Sequence, residues 1–397
     1  MSTEDQETVR GAGASRRAIL GMAVAAPALI AVAGPVSAKT ADPWADAIIV
    51  NALGGLSNPN TRDEDNESSI ARGVRKPRRL DARTIQDARL SGVTAVNCTL
   101  GYVAGDGDPY EVSVASVAQY DRMVREQSSD LIKVLSAADI LRAKRENKIG
   151  LIYGFQNAVM VGDSLERIDV FNDLGVRIIQ LTYNPANHLG DGSMAPENRG
   201  LTPFGHEVVA RLNANRIMVD LSHSGQQTCL DAARASTQPI SINHTGCRAL
   251  TDLPRNKTDE ELKLVADKGG FVGIYFMPFL NKEGKVRAVD IVEHIEHALK
   301  VCGEDHVGIG TDGPITQIDD METYKSALAR EVADRKARGI GATGEGPETY
   351  PFAIDLRGPT QFRDLADRLK ARGHSTTRIE KILGGNFVRY AKDIWGA

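Results

Sequence analysis

The stretch Ile217-Met218-Val219-Asp220-Leu221-Ser222-His223 is an apolar run that ends in polar, chemically active side chains. Short, mostly apolar runs without strict polar alternation are typical of parallel strands buried on both faces. A second run, Pro239–Asn243, leads to His244 in the same way. Two strands that both end in histidine predict a parallel sheet whose carboxyl edge carries a functional site.

Similar runs recur along the chain at the spacing of a β/α repeat. The eight predicted strands are Ile48–Asn51, Thr94–Cys98, Gly150–Phe155, Arg177–Leu181, Ile217–Leu221, Pro239–Asn243, Phe271–Tyr275 and His306–Gly310. Helix signals lie between them, such as Asp163-Ser164 before Leu165–Leu174 and Thr258 before a segment that ends at Gly269. This pattern predicts an α/β fold, a (β/α)₈ barrel of the TIM type, with a doubly wound open sheet as the alternative.

Composition limits the function classes. The chain has 397 residues, of which 42% are hydrophobic, which is enough for one large barrel domain. The net charge of −4 argues against a surface that binds nucleic acid. The four cysteines lie far apart without a C-x-x-C pair, which argues against a zinc ribbon or a disulfide-dense scaffold and leaves a single disulfide open.

The N-terminus has the sequence pattern of an export signal. Ser15-Arg16-Arg17 precedes an apolar run, Ala18–Val32, and Val36-Ser37-Ala38 supplies small residues at a cleavage point. This arrangement predicts a twin-arginine (Tat-type) signal peptide over residues 1–38 and a mature periplasmic barrel over residues 39–397. The apolar run is too short for a stable membrane span, and an uncleaved N-terminal anchor is the alternative.

Two segments interrupt the repeat. Residues 56–80 are polar and predict a long loop after the first strand, and such loops lie over the mouth of a barrel. Residues 312–358 predict a long insertion after the eighth strand, with a helix over Met321–Lys336 and a glycine-rich passage over Gly339–Gly346.

The strand ends supply candidate metal ligands. His223, His244 and Asp312 follow strands five, six and eight, and Gln156 follows strand three. Neutral imidazole and carboxylate are ligands that zinc prefers, and an open coordination position would hold a reactive water. A lone histidine at a strand end is more often a hydrogen-bonded structural residue. The coincidence of two histidines and an aspartate at equivalent positions favours a functional role.

Two loop residues are candidates for substrate binding. His188, in the loop after strand four, lies on the predicted active face. Arg255, in the loop after strand six, could bind a substrate carboxylate through two hydrogen bonds, or be tied to a nearby acid. His294 and His297 are expected on a solvated helix face.

Several motifs together resemble the membrane (renal) dipeptidase family of zinc peptidases, from about residue 46 to the C-terminus. They are Leu174-Gly175-Val176-Arg177 with Leu181-Thr182, Val219-Asp220-Leu221-Ser222-His223, Pro239–Leu250, Pro254-Arg255-Asn256 with Thr258-Asp259, Val307-Gly308-Ile309-Gly310-Thr311-Asp312 and Ile382-Leu383-Gly384-Gly385-Asn386-Phe387. The resemblance implies a (β/α)₈ barrel, two bridged zinc ions, cleavage of dipeptides and pairing as a homodimer.

The resemblance also implies roles for individual residues. His223 and His244 match the ligands of one zinc ion. Asp312 matches the catalytic aspartate that handles the attacking water, and Arg255 matches the arginine that binds the substrate carboxylate. Tyr183 stands where the family has a substrate-binding histidine.

The departures from the family concern the second metal. Leu53 and Gly55 fall at or near the positions of the family's first-strand His-x-Asp, and Gln156 replaces its bridging glutamate. The second aspartate of the family's S-D-F-D-G motif is absent after Asp312. A neutral amide cannot replace a bridging carboxylate between two cations, so we expect one zinc ion at most, or none.

Two functions follow from this pattern. The leading hypothesis is a metal-dependent hydrolase that cleaves a dipeptide or a related small amide. The alternative is a metal-free binding protein, or an enzyme of another class, that reuses the barrel mouth, because a fold does not determine a function.

Overall fold

The computed structural model describes residues 42–61 and 79–396. The predicted signal peptide and most of the loop predicted over residues 56–80 lie outside this part of the chain. In the described part, no helix is both long and apolar enough to cross a membrane.

The strands form one parallel sheet. Within the described residues they are β1 (Ile49–Gly54), β2 (Val93–Leu100), β3 (Leu131–Lys133), β4 (Ile149–Phe155), β5 (Val176–Gln180), β6 (Met218–Asp220), β7 (Ser241–Thr245), β8 (Phe271–Ile274) and β9 (Val307–Ile309). Their order is β1-β2-β4-β5-β6-β7-β8-β9, and β3 pairs with the first half of β4. All eight predicted strands are present, and β3 is an additional short strand.

Contacts between the first and last strands close the sheet into a barrel. The backbone nitrogen of Asp312 donates to the carbonyl oxygen of Leu53 at 2.9 Å, and Gly55 donates to Gly313 at 3.2 Å. The Asn51 amide donates to the Thr311 hydroxyl at 2.9 Å and accepts from the Thr311 backbone nitrogen at 2.8 Å. These bonds confirm the (β/α)₈ barrel and exclude the open sheet.

Helices surround the barrel. They are α1 (Ala82–Ser91), α2 (Pro109–Glu126), α3 (Ala137–Arg145), α4 (Glu166–Asp173), α5 (Pro203–Ala214), α6 (Gln226–Ala235), α7 (Asp259–Asp267), α8 (Ala288–Cys302), α9 (Met321–Ala337), α10 (Gln361–Ala371), α11 (Thr376–Glu380) and α12 (Asn386–Trp395). Thr258 begins α7 with a capping box, in which its hydroxyl accepts from the Glu261 backbone and the Glu261 carboxylate accepts from the Thr258 backbone.

The C-terminal helix α12 packs at the amino end of the barrel. Phe387 and Tyr390 of α12 lie against Phe271, the first residue of β8, with ring centroids 5.3 Å and 6.1 Å away. All three side chains are buried. This packing leaves the carboxyl ends of the strands as the end at which side chains can meet a ligand.

A covering segment, which we define as residues 321–346, packs against the loop after β5 at that carboxyl end. It contains α9 and the glycine-rich passage after it. Ile340 packs against Val103 and Tyr183, and its carbonyl oxygen accepts a 2.8 Å hydrogen bond from the Asn184 amide. The helix predicted over Met321–Lys336 is confirmed, and the insertion folds against the mouth.

The four cysteines lie in the described part of the chain, where they are buried and form no disulfide, so the disulfide left open by the sequence is not present.

Candidate active site

His223 follows β6, and both of its ring nitrogens have protein partners. Its Nδ1 lies 2.7 Å from the Asn184 side-chain oxygen. The amide nitrogen of Asn184 donates to Ile340, so its oxygen faces the imidazole and Nδ1 must carry the proton. The other ring nitrogen, Nε2, therefore accepts from the Arg255 guanidinium at 3.2 Å. Burial, followed by the charge of Arg255, holds the pKa of His223 well below its ordinary value.

His244 lies near the end of β7, and its ring centroid is 5.0 Å from that of His223. The side chain is fully buried, and neither ring nitrogen has a hydrogen-bond partner among the described residues. Burial and the charge of Arg255 lower its pKa well below the ordinary value, so the ring is neutral. Buried polar atoms without partners are costly, and a ligand at the mouth could supply the missing partner.

Arg255 is a buried cation that forms no ion pair with an acidic side chain of the described residues. The residue is 1% exposed, and its guanidinium donates to the Ser222 carbonyl oxygen at 2.5 Å and to His223. It also lies 5.9 Å from the ring centroid of Tyr275. In the described part of the chain, no carboxylate forms an ion pair with it. Because an unpaired buried charge is unfavourable, an anionic group of a ligand would stabilise it.

The loop between β7 and α7 fixes this cation beside His223. The Asn256 amide donates to the carbonyl oxygens of Thr251 at 2.7 Å and Phe279 at 2.9 Å, which holds the loop closed. The buried Lys257 ammonium donates to the Ser224 carbonyl oxygen and lies 3.3 Å from the Glu261 carboxylate. Arg255 and Lys257 therefore bind the carbonyl groups on either side of His223 and position its loop.

Asp312 follows β9 in a left-handed backbone conformation, with φ of 56°. Few residues other than glycine adopt this conformation, although aspartate and asparagine tolerate it, and such strain is concentrated at functional sites. Burial raises the pKa of the Asp312 carboxyl to about 6, against the opposing charges of Arg255 and Arg335. A carboxyl group with this pKa can exchange a proton near neutral pH.

Tyr183 connects the covering segment to His223. Its ring stacks on the His223 imidazole, with centroids 4.2 Å apart, and its hydroxyl accepts a 3.0 Å hydrogen bond from Arg335 of α9. The Arg335 guanidinium also binds both carboxylate oxygens of Glu345, at 3.1 Å and 2.8 Å. Tyr183 therefore packs against one face of the His223 imidazole and binds the covering segment through the hydrogen bond to its hydroxyl.

A close backbone approach shapes the loop after β5. A Cβ atom on Gly192 would lie 2.0 Å from the carbonyl oxygen of Tyr183 and 2.4 Å from that of Asn184, so only glycine fits. This packing lets the Ser193 backbone nitrogen donate to the His223 carbonyl oxygen at 2.7 Å.

The structure does not bring two of the predicted residues to this cluster. The side-chain nitrogen of Gln156 donates to the Thr99 hydroxyl at 2.6 Å, and the backbone carbonyl oxygen of Gln156 accepts from the side-chain nitrogen of Gln180. His188 is exposed and stacks on Phe204, with centroids 5.8 Å apart. Neither residue contacts His223, His244 or Arg255 in the hydrogen bonds and ring contacts of the described chain.

The expectation of a solvated His294 is wrong. The side chain is buried, its Nδ1 accepts from the Cys247 backbone nitrogen at 2.9 Å, and its Nε2 donates to the Leu280 carbonyl oxygen at 3.1 Å. Burial lowers its pKa to about 4. His294 is thus a structural histidine that ties α8 to the loops after β7 and β8. Its neighbour His297 is partly exposed and pairs with Asp259 at 2.7 Å.

These residues do not fit the zinc ion that the sequence suggested. Zinc needs the lone pair of a neutral imidazole nitrogen, and on His223 that lone pair accepts from Arg255. The His244 ring nitrogens have no partner among the described residues. Among residues 42–61 and 79–396, no three histidine, cysteine or acidic side chains cluster closely enough to hold a metal ion.

A (β/α)₈ barrel with a raised-pKa carboxyl, a buried arginine and a buried imidazole at its carboxyl end has the features of an enzyme active site. Comparison with known proteins identifies the family. The model of the membrane dipeptidase family, peptidase family M19, matches residues 92–339. The chain belongs to this family, and the resemblance inferred from its motifs is confirmed.

Individual relatives agree with this assignment. The crystal structure of an amidohydrolase from Pseudomonas aeruginosa is 32% identical, with a TM-score of 0.73 over 89% of this chain and 98% of that one. A dipeptidase from Claviceps purpurea is 28% identical over 276 residues, which are 68% of this chain and 57% of the fungal protein. A metallopeptidase from Rhodobacter sphaeroides, bound to a phosphinate mimic of the dipeptide L-Ala-D-Ala, has a TM-score of 0.67 at 19% identity over 88% of this chain and 100% of that one, and shows the shared fold.

Proposed function

We propose that this protein hydrolyses a dipeptide or a related small amide that carries a free carboxylate. The observation that supports the proposal is the buried guanidinium of Arg255, which forms no ion pair within the described chain, beside the His244 imidazole, whose nitrogens have no hydrogen-bond partner there. A cation in this position can bind the substrate carboxylate. The covering segment packs against the loop beside the mouth, which favours a small substrate.

Three residues have separate roles in the proposed reaction. Arg255 binds the carboxylate, and the neutral His244 donates a hydrogen bond to the carbonyl oxygen of the amide, where negative charge develops. Asp312 accepts a proton from the attacking water as the oxygen–carbon bond forms. The carbon–nitrogen bond then breaks, and the proton held by Asp312 passes to the leaving amine. His223 and Tyr183 position Arg255 and need not contact the substrate.

A substrate panel tests the proposal. Dipeptides, N-acyl amino acids and lactones would be assayed with the wild-type protein and with Asp312→Asn, which keeps the size of the side chain and tolerates the left-handed backbone. We expect turnover of at least one amide with a free carboxylate, little turnover of its carboxamide derivative, and a loss of about 10²–10⁴-fold in Asp312→Asn. Equal turnover by wild type and Asp312→Asn would contradict the assigned role of the carboxyl.

A non-hydrolytic binding protein is the second candidate, because the same guanidinium and imidazole could hold a carboxylate without cleaving it. Calorimetric binding of a panel member by the wild-type protein, unaccompanied by turnover of any member, would favour this alternative.

We also propose that the protein is exported to the periplasm by its twin-arginine signal. The support is the sequence of residues 15–38 alone.

A further inference from the structure

We infer that the Arg255 guanidinium takes the place of a metal ion in this site, so that the protein holds no zinc at the barrel mouth. The inference rests on the proposed function only in treating the mouth as the active site.

The hydrogen bonds of His223 determine which of its two ring nitrogens carries the proton. The Asn184 side-chain oxygen faces Nδ1, because the Asn184 amide nitrogen donates to Ile340 at 2.8 Å and the Ser193 hydroxyl donates to the same oxygen at 3.3 Å. An acceptor at 2.7 Å requires a proton on Nδ1. The only lone pair of the ring then lies on Nε2, where the Arg255 guanidinium donates to it.

Further contacts hold Arg255 in its position. Its guanidinium also donates to the Ser222 carbonyl oxygen, and the residue is enclosed beside Tyr275. A zinc ion on His223 would have to displace this cation or lie next to it. No carboxylate of the described chain forms an ion pair with Arg255, and the Asp312 carboxylate acts on it only without direct contact, so the two positive charges would repel each other.

The ligands that remain are too few for a zinc ion. His244 has two ring nitrogens without a partner among the described residues, but zinc sites in proteins use at least three protein ligands. In the described chain no three histidine, cysteine or acidic side chains cluster closely enough to hold a metal ion, and Leu53 and Gly55 have no ligand atoms in their side chains. The guanidinium instead supplies the fixed positive charge beside the two imidazoles.

Metal content is the direct test. The protein would be purified without chelators from a zinc-supplemented culture, and its zinc would be measured by plasma mass spectrometry after gel filtration. We expect a small fraction of an equivalent, with a Tm that neither EDTA nor added zinc changes. About one zinc ion per chain that EDTA removes, and that both His223→Ala and His244→Ala lose, would overturn the inference.

The tautomer of His223 is an independent test, and His294 is its internal control. Long-range ¹⁵N–¹H correlation spectra of histidine-labelled protein would report which ring nitrogen carries the proton. We expect Nδ1–H for His223 and the opposite tautomer, Nε2–H, for His294, because its Nδ1 accepts from Cys247. Both signals should be unchanged by zinc. An Nε2–H tautomer at His223, or a zinc-induced shift of its resonances, would contradict the inference.

Failure of the inference and failure of the proposed function would give different results. Bound zinc with turnover of an amide overturns the inference and leaves the function. A zinc-free protein that turns over no member of the panel overturns the function and leaves the inference.

Discussion

At the scale of single residues, the pKa of Asp312 sets the expected pH dependence. The carboxyl must be ionised to accept a proton from water, and its pKa is raised to about 6. The pKa values of His223 and His244 are lowered well below their ordinary value, so both rings stay neutral over the range in which Asp312 titrates.

We therefore expect kcat/KM to rise between pH 5 and 7 and to level off above, with a midpoint of about 6. Below the midpoint the rate should fall about tenfold per pH unit, because only the ionised fraction is active. The residual activity of Asp312→Asn should lack this limb. Full wild-type activity at pH 5 would contradict the role of Asp312 as the base.

The sequence predicted some of these residues and missed others for a physical reason. His223 and Asp312 follow strands, His244 lies near the end of β7 and Arg255 lies in the loop after it, so their place at the carboxyl edge follows from the β/α repeat. Arg335 could not be found in this way, because its contact with Tyr183 spans 152 positions and depends on the fold of the covering segment. Asn184 lies next to Tyr183, but only its contacts with His223 and Ile340 reveal its role.

At the scale of secondary structure elements, the strands were predictable and the closure of the barrel was not. Most barrel strands are buried, largely apolar runs, whereas β3 has only three residues and gives no comparable signal. The sequence could not separate a barrel from an open sheet, because closure depends on bonds such as Asn51 to Thr311, which are 260 positions apart.

A buried ion pair between Lys257 and Glu261 joins the β7–α7 loop to α7, and we expect it to stabilise the fold. Lys257→Met leaves the Glu261 carboxylate buried without its cation and frees the Ser224 carbonyl group. We expect a loss of about 3–5 kcal/mol in the free energy of unfolding, measured by urea denaturation.

Lys263→Met is the matched control, since Lys263 lies on α7 and pairs with Asp267 at 2.9 Å on the surface. It should cost about 0–1 kcal/mol. Similar losses in the two variants would show that the buried pair does not hold the loop.

At the scale of the whole molecule, the two ends of the barrel differ: helix packing lies at one end, and the candidate active site lies at the other. Helix α12 packs at the amino end, and the loops that follow β5, β6, β7 and β9 bring their polar side chains together at the other. The family assignment agrees with this division, although the donor set at the mouth does not suit a zinc ion.

Export is a prediction about the full chain. Replacing Arg16 and Arg17 with lysine should leave the precursor in the cytoplasm, because the signal is recognised through its paired arginines. Cell fractionation and immunoblotting would measure the mature and precursor forms. Unchanged periplasmic protein in this variant would contradict a twin-arginine route.

The most direct test of the account is a crystal structure of Asp312→Asn with an uncleaved amide substrate, collected at the zinc absorption edge. We expect the substrate carboxylate within hydrogen-bond distance of the Arg255 guanidinium, its amide carbonyl against His244, and no anomalous peak between His223 and His244. A substrate bound elsewhere, or an anomalous zinc peak between the two imidazoles, would contradict it.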